Sequence, residues 1–176
     1  EVDGNANINA RKGPYLDLEN ANAFQMRDIY NNNNPNFNTF NSLNVTLCDV
    51  YAKARSSGKK TGMPILYFKA NVLNSFQNYS VDGNYLNDIY NLEDNYQILS
   101  LQSAETTPKP HKVMDNAVTN EFVNFENLIV NQQVLQATPG AVRRPYRANS
   151  YILWSAGKDG NFGTADDVFN FTKEAE

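Results

Sequence analysis

Three segments of the chain predict β-strands, one by alternation of apolar and polar residues and two as short apolar runs. The first segment is 43–47, and we expect its aliphatic face to be buried. The second, 63–70, begins near a proline, which is tolerated at the start of a strand. The third, 150–155, runs directly into a glycine- and aspartate-rich loop. The first two segments predict an antiparallel hairpin whose connection, 53–62, is a flexible basic loop.

Apolar positions spaced about 3.6 residues apart predict helices elsewhere in the chain. These helices are expected over about 20–30, 84–95 and, most clearly, 115–133. The proline-rich segment 105–112 is expected to be an extended linker. Together these patterns predict a single domain over 1–176, of the α+β class, with a small antiparallel sheet and two or three helices.

Composition and charge limit the classes of function. The chain is 41% hydrophobic and 12% aromatic, which is typical of a folded domain. Its formal net charge of −4 argues against nucleic-acid binding, which requires a basic surface. The single cysteine, Cys48, cannot form a disulfide within the chain, and its apolar neighbours indicate a small core residue. The single histidine, His111, excludes a site built from several histidines of one chain.

The segment 155–171 carries the strongest chemical signal in the sequence. Three aspartates, Asp159, Asp166 and Asp167, occur there together with three glycines. Calcium takes about six to eight oxygen ligands from carboxylates, carbonyls and waters, and glycines let the backbone curl so that carbonyls face inward. The spacing is not that of an EF-hand, because Asn170 stands where the closing glutamate belongs. A turn whose carboxylates only accept backbone N–H groups has the same composition, so the residues leave both interpretations open.

Residues 144–171 also contain two consecutive motifs. The first is Arg-Pro-x-Arg-x-x-Ser-(Tyr/Phe)-Ile-Leu, and the second is Ser-x-Gly-x-Asp-Gly followed, after a spacer, by Asp-Asp-(Ile/Val)-x-Asn-(Trp/Phe). The matching positions are Arg144, Pro145, Arg147, Ser150, Tyr151, Ile152, Leu153, Ser155, Gly157, Asp159, Gly160, Asp166, Asp167, Val168, Asn170 and Phe171. This order resembles the C-terminal end of type II secretion major pseudopilins and of related prepilin-type proteins with a large head.

Other parts of the chain match that family less closely. A Gly-Pro-Tyr-Leu segment at 13–16 and an aspartate-containing turn at 48–51 are similar to family features. In the turn, Tyr51 and Ala52 replace the usual Trp-Gly. The middle of the chain, 72–143, has no counterpart and is interpreted as an insertion specific to this branch.

The resemblance implies one structural calcium ion in the C-terminal loop. Its implied ligands are the side chains of Asp159 and Asp166 and the backbone carbonyls of Ala156, Asn161 and Thr164. Asp167 is assigned either to capping the following strand or to holding a bound water. With so few carboxylates we expect a dissociation constant of about 10⁻⁴–10⁻³ M, as in extracellular modules. Without the ion, the two ligating aspartates would repel each other and the loop would separate from the sheet.

The resemblance further implies a non-enzymatic structural subunit of a type II secretion pseudopilus or of a type IV pilus-like filament. Its partners would be other pilin or pseudopilin subunits. A hydrophobic helix preceding Glu1 would anchor the full-length protein in the inner membrane before assembly. The head itself would be periplasmic or extracellular.

Two alternatives remain open at the level of sequence. Asp159 and Asp166 could form the acid pair of a glycoside hydrolase, although a terminal loop does not provide the walled cleft that such enzymes use. A secreted adhesion or carbohydrate-binding module is the second alternative. The tyrosines that could serve it are Tyr79, Tyr85, Tyr90 and Tyr96.

Overall fold

Seven short β-strands and five α-helices form the regular structure of the residues that the computed structural model describes, 21–34, 36–117, 119–138 and 140–173. The strands are β1 (Ala23–Gln25), β2 (Val45–Leu47), β3 (Lys53–Ala54), β4 (Lys60–Thr61), β5 (Leu66–Lys69), β6 (Tyr151–Ser155) and β7 (Val168–Phe169). The helices are α1 (Met26–Ile29), α2 (Tyr79–Asp82), α3 (Tyr96–Leu99), α4 (Glu121–Ile129) and α5 (Gln132–Ala137). Antiparallel sheets with helices packed beside them give an α+β fold, as predicted. The segment 13–16 lies outside the described residues.

Strand β6 is the centre of the principal sheet. Strands β5 and β7 flank it, and both run antiparallel to it. Strands β1 and β2 form a second antiparallel pair, and a bridge between Cys48 and Pro64 joins β2 to the chain just before β5. The predicted hairpin between 43–47 and 63–70 is therefore present only as this bridge and a hydrogen bond from the Ile65 N–H to the Leu47 carbonyl.

The inner face of the principal sheet packs against α4 through large aromatic rings. Phe68, Phe125 and Trp154 are all nearly or fully buried. The ring centroids of Phe68 and Phe125 are 4.8 Å apart, and those of Phe125 and Trp154 are 6.1 Å apart. Burying each such side chain contributes about 1.5–3 kcal/mol. Helix α4 belongs to segment 72–143, so the region without a family counterpart supplies part of the core under β6.

The apolar face of β2 points outward, contrary to the prediction. Val45 and Leu47 are 52% and 45% exposed, and the preceding Leu43 is 53% exposed, whereas Cys48 is buried. A shift of one residue exchanges the two faces of a strand. Here the pairing of Cys48 with Pro64 directs the thiol into the core, and the aliphatic residues before it therefore face away from the core.

Two of the predicted helices are replaced by shorter elements. Segment 20–30 begins as β1, because its backbone pairs with β2, and only a single helical turn, α1, follows. Segment 84–95 contains two 3₁₀ turns, Tyr85–Asn87 and Leu92–Asn95, each preceded by an asparagine that accepts a backbone N–H bond. Asparagine side chains compete in this way with longer helices.

The third predicted helix, 115–133, is present as two helices. Helix α4 begins after Asn120, whose side chain accepts the Val123 N–H, and it ends at Val130. Val130 leaves the helical conformation and bridges to Pro145. The longest helix of the described residues, α4, has nine residues, and none of the helices described here could span a bilayer.

Candidate metal site

The connection between β6 and β7, residues 156–167, is called here the aspartate loop. Its two ends meet at Gly157, which has a φ of 62°. A β-carbon at this position would lie 2.1 Å from the carbonyl oxygen of Asp166, so only glycine fits. The same β-carbon would lie 2.8 Å from Oδ2 of the Asp166 carboxylate. The loop is therefore a closed curl in which the Asp166 side chain turns back toward its start.

Asp166 and Asp159 both hold the loop by accepting backbone N–H groups. Oδ2 of Asp166 accepts the N–H of Asp159 at 2.9 Å, and Oδ1 of Asp166 accepts the hydroxyl of Thr164 at 2.7 Å. The Thr164 hydroxyl bond and then the Asp159 N–H bond hold the pKa of Asp166 below its usual value. Oδ1 of Asp159 accepts the N–H of Asn161 at 2.7 Å. The structure thus brings the Asp166 carboxylate to the backbone of Asp159, and each carboxylate caps an N–H group.

Three oxygen atoms converge at Thr164. Its Oγ1 lies 3.1 Å from the carbonyl oxygen of Asn161 and 2.7 Å from Oδ1 of Asp166. A hydroxyl has one proton and can donate to only one of these acceptors at a time. The carbonyl of Thr164, implied as a ligand by the resemblance, instead accepts the N–H of Asp167 at 3.4 Å. A hard cation that prefers oxygen ligands would satisfy the converging atoms together, so the donor chemistry at this point fits calcium.

Asp167 is less exposed than the other two aspartates of the loop. Its Oδ2 accepts the N–H of Gly163 at 2.8 Å, so it caps the loop and not the strand that follows. Its Oδ1 is buried without a hydrogen-bond partner. Burial raises the pKa of Asp167 to about 7, and the Gly163 N–H and the Trp154 indole act in the opposite direction. The indole Nε1 itself makes no hydrogen bond. A buried carboxylate oxygen without a donor requires a proton or a cation nearby.

The remaining implied ligand is Ala156, which is fully buried at the start of the loop. In the part of the chain that the structure describes, no three His, Cys, Asp or Glu side chains lie close enough together to hold a metal ion. A calcium ion in the aspartate loop would therefore depend mainly on carbonyl and hydroxyl oxygens, with one or two carboxylates. Such a ligand set agrees with the weak affinity expected from the sequence.

A buried polar network anchors the start of the aspartate loop to the turn at 48–51. Oδ2 of Asp49 accepts the hydroxyl of Ser155 at 2.8 Å, and Oδ1 of Asp49 accepts the N–H of Met63 at 3.2 Å. The Ser155 hydroxyl oxygen in turn accepts the Gly157 N–H at 3.2 Å. Sequence reasoning did not place Asp49 in the site. The sequence signal that could have identified Asp49 is the similarity of 48–51 to the aspartate-containing turn of the family.

The basic segment 53–62, predicted to be a flexible loop, is an antiparallel hairpin of β3 and β4 that contacts the aspartate loop. The ammonium group of Lys53 donates to the carbonyl of Asp159 at 3.1 Å. Arg55 is buried, donates from Nε to the Thr61 carbonyl at 2.8 Å, and places Nη1 2.9 Å from the β-carbon position of Gly160. Hairpin and loop together border a cleft of about 680 Å³.

His111 lies buried behind the loop, although its segment was predicted to be an extended linker. Its Nδ1 accepts the N–H of Phe162 at 3.3 Å, and the two rings meet edge to face with centroids 5.0 Å apart. Burial lowers the pKa of His111 to about 4, against the raising effects of Asn161 and Gln102. The imidazole is therefore neutral near pH 7, and it supports the loop from the core side.

The features required by the two alternative functions are weak in the structure. Asp159 and Asp166 line the cleft beside the hairpin, but both are exposed and already accept loop N–H groups, whereas a glycoside hydrolase holds its acid pair across a walled cleft. Tyr79 and Tyr85 both stack on Phe122, with centroids 4.7 and 4.9 Å away, and Tyr90 is fully buried. The ring faces that a sugar would use are thus largely occupied within the protein.

No protein-family model, no curated protein and no solved structure matches this chain. The function of this chain is therefore inferred from the geometry of the loop and the surface of the sheet.

Proposed function

We propose that the chain is the head of a filament subunit of the type II secretion pseudopilin or type IV pilin-like class, with a structural calcium ion in the aspartate loop. The observation that carries this proposal is the character of the outer face of the principal sheet. An antiparallel sheet with one face in water normally presents polar residues on that face. This sheet presents Tyr67, Tyr151, Leu153 and Val168 there, together with the charged Lys69.

Exposed apolar side chains lie on β2 and, in the separate principal sheet, on β5, β6 and β7. They are between 36% and 52% exposed, and they are Val45, Leu47, Tyr67, Tyr151, Leu153 and Val168. The register puts those of the principal sheet on one face, because Tyr67 lies opposite Leu153 and Val168 lies opposite Ser155. Several exposed apolar side chains on one face of a sheet are typical of an interface with another protein segment.

A filament subunit requires such a face. In pilin-like assemblies each head is carried by a hydrophobic N-terminal helix and packs against neighbouring subunits, so one side of the head is covered. Strand β6 lies in the middle of the apolar outer face and also leads into the aspartate loop. An ion that fixes this loop would hold β7 against β6 and so stabilise the surface to be covered.

The calcium ion would act as a structural cross-link in this proposal. Asp166, Thr164 and Asn161 supply the converging oxygens, and Asp159 lies beside them. The head performs no chemistry. Its partners are other pilin or pseudopilin subunits, and the assembled protein is exposed in the periplasm or outside the cell after anchorage in the inner membrane.

Assembly tests the proposal most directly. Leu153→Glu places a charge on the outer face, and Leu73→Glu makes the same change at a site that is 89% exposed and outside the sheet. Both are introduced into the gene with its own upstream sequence in the producing bacterium, and filaments are sheared and quantified. We expect Leu153→Glu to abolish filaments and Leu73→Glu to leave them, while both purified heads keep their thermal midpoint. Normal filament yield with Leu153→Glu would refute the role of this face.

Calcium is tested by thermal unfolding of the purified head. With a dissociation constant of about 10⁻⁴–10⁻³ M, calcium at about 10 mM should stabilise the fold by about 1–3 kcal/mol. For a chain of this size that corresponds to about 3–10 °C in the midpoint. The matched control is magnesium at the same concentration, which demands a tighter octahedral site. An identical midpoint in calcium and in chelator would reject the ion.

A further inference from the structure

We propose that Lys53 is an internal counter-cation of the aspartate loop, which holds the loop in the absence of calcium and competes with calcium for it. The inference rests on the calcium site of the proposed function. It concerns the hairpin of β3 and β4, which the sequence did not connect with the loop. It assigns that hairpin a role in setting the affinity of the site.

The ammonium group of Lys53 contacts the loop at the residue where a ligand is expected. Its Nζ donates to the carbonyl of Asp159 at 3.1 Å. The same cleft is lined by Lys158 and by the carboxylates of Asp159 and Asp166. The cleft therefore has two cationic and two anionic side chains in its lining. A divalent ion added to the loop would lie close to an ammonium group already attached to it.

The hairpin is held firmly enough to keep Lys53 at this position. Lys53 pairs with Thr61 across the hairpin, and the buried guanidinium of Arg55 donates to the Thr61 carbonyl. The guanidinium group of Arg55 also lies against the loop at Gly160. The Ser56 N–H donates to the Ala104 carbonyl at 2.9 Å, which ties the hairpin to the body of the protein. Lys53 therefore extends from a fixed backbone and not from a free loop.

The charge of Lys53 should have opposite effects on the calcium-free and the calcium-bound loop. Without calcium, the ammonium group bonds a loop carbonyl and shares a cleft with Asp159 and Asp166, so its removal should loosen the loop. With calcium bound, the Lys53 ammonium group and the divalent ion would repel each other. For charges about 6 Å apart in water with physiological salt, this repulsion weakens calcium binding about three- to tenfold. Removal of the Lys53 charge should therefore destabilise the calcium-free protein and strengthen calcium binding.

The experiment compares Lys53→Met with Lys60→Met. Methionine keeps most of the aliphatic stem and removes the charge. Lys60 lies in the same hairpin, opposite Ala54, and is exposed. The calcium dissociation constant is measured by titration calorimetry, and the thermal midpoint is measured in chelator. We expect Lys53→Met to lower the midpoint in chelator by about 1–2 °C and to lower the calcium dissociation constant about three- to tenfold, with a smaller gain in high salt. Lys60→Met should change neither quantity appreciably.

The outcomes separate this inference from the proposed function. If wild-type protein binds calcium and Lys53→Met binds it with the same or lower affinity, the inference is overturned and the calcium site stands. If neither protein binds calcium at millimolar concentration, the calcium site and the inference are overturned together. Lys53→Arg, which keeps the charge, should retain the wild-type dissociation constant. Tighter binding by the arginine variant would show that charge is not the cause and would also overturn the inference.

Discussion

Acid should destabilise this fold through His111. The side chain is fully buried, and burial lowers its pKa to about 4 from an ordinary value of 6.5. Between these two values the unfolded chain binds a proton that the folded chain does not bind. The contribution of His111 to the free energy of unfolding therefore decreases as the pH falls through this window, whereas the raised pKa of Asp167 acts with the opposite sign. A pKa difference of about 2.5 units limits the loss to about 3 kcal/mol, and about 2 kcal/mol of it is reached between pH 7 and pH 4.5.

His111→Asn is the matched variant for this prediction. Its Oδ1 can accept the Phe162 N–H that Nδ1 of His111 now accepts at 3.3 Å, and it has no proton to gain in this range. The smaller side chain leaves a cavity, so the variant should already be less stable at pH 7. The cavity cost does not depend on pH. The change with pH, and not the stability itself, is the quantity to compare.

Urea unfolding from pH 7 to pH 4.5, at one fixed calcium concentration, measures that change. Carboxylates elsewhere titrate in both proteins and largely cancel in the comparison. We expect the wild type to lose about 2 kcal/mol more than His111→Asn over this range. Parallel losses in the two proteins would mean that the pKa of His111 in the folded state is close to its ordinary value of 6.5, which would refute the burial argument.

Two further predictions concern backbone conformation and buried charge. Gly157→Ala should reduce the free energy of unfolding by more than about 2 kcal/mol, because the added β-carbon would clash with the loop backbone. The control Gly58→Ala is also at positive φ but its β-carbon would meet open space, so it should cost about 1 kcal/mol. Equal losses in urea unfolding would contradict the closed curl of the loop. Arg143→Met should cost about 3 kcal/mol, because it leaves the fully buried Glu126 carboxylate without its cation, whereas Lys112→Met breaks an exposed pair and should cost less than about 1 kcal/mol. A loss below about 1 kcal/mol in Arg143→Met would show that the ion pair with Glu126 does not stabilise the fold.

The final strand and its loop could be predicted from the sequence because their signals are local. The apolar run within 150–155 predicted β6, and the observed strand is Tyr151–Ser155. The glycines and aspartates that follow predicted a tight loop, and the structure closes it at Gly157. Asn120 and Asn84 cap short helical elements, as their residue type suggests. The caps and the closure of the loop join atoms that lie close together in the sequence, whereas β6 itself pairs with the distant strand β5.

Features that depend on distant partners could not be predicted in this way. The outward face of β2 follows from the pairing of Cys48 with Pro64, and alternation alone is equally compatible with either face. His111 accepts a bond from a residue 51 positions away, and Asp49 accepts one from Ser155, 106 positions away. No periodicity in the sequence encodes such contacts. They belong to the part of the site that sequence reasoning missed.

These distant contacts make the aspartate loop part of the core and not an appendage to it. Trp154 lies at the end of β6, with its ring 5.2 Å from Phe162 of the loop and 5.4 Å from Phe169 of β7. Because Phe162 is also fully buried, the loop cannot open without exposing aromatic surface of the core. Exposure of one such ring costs about 1.5–3 kcal/mol, which is comparable to the stabilisation expected from a weakly bound calcium ion. The loop is therefore expected to remain largely closed without calcium, and the ion should act by raising the stability of the whole sheet and not by folding a disordered segment.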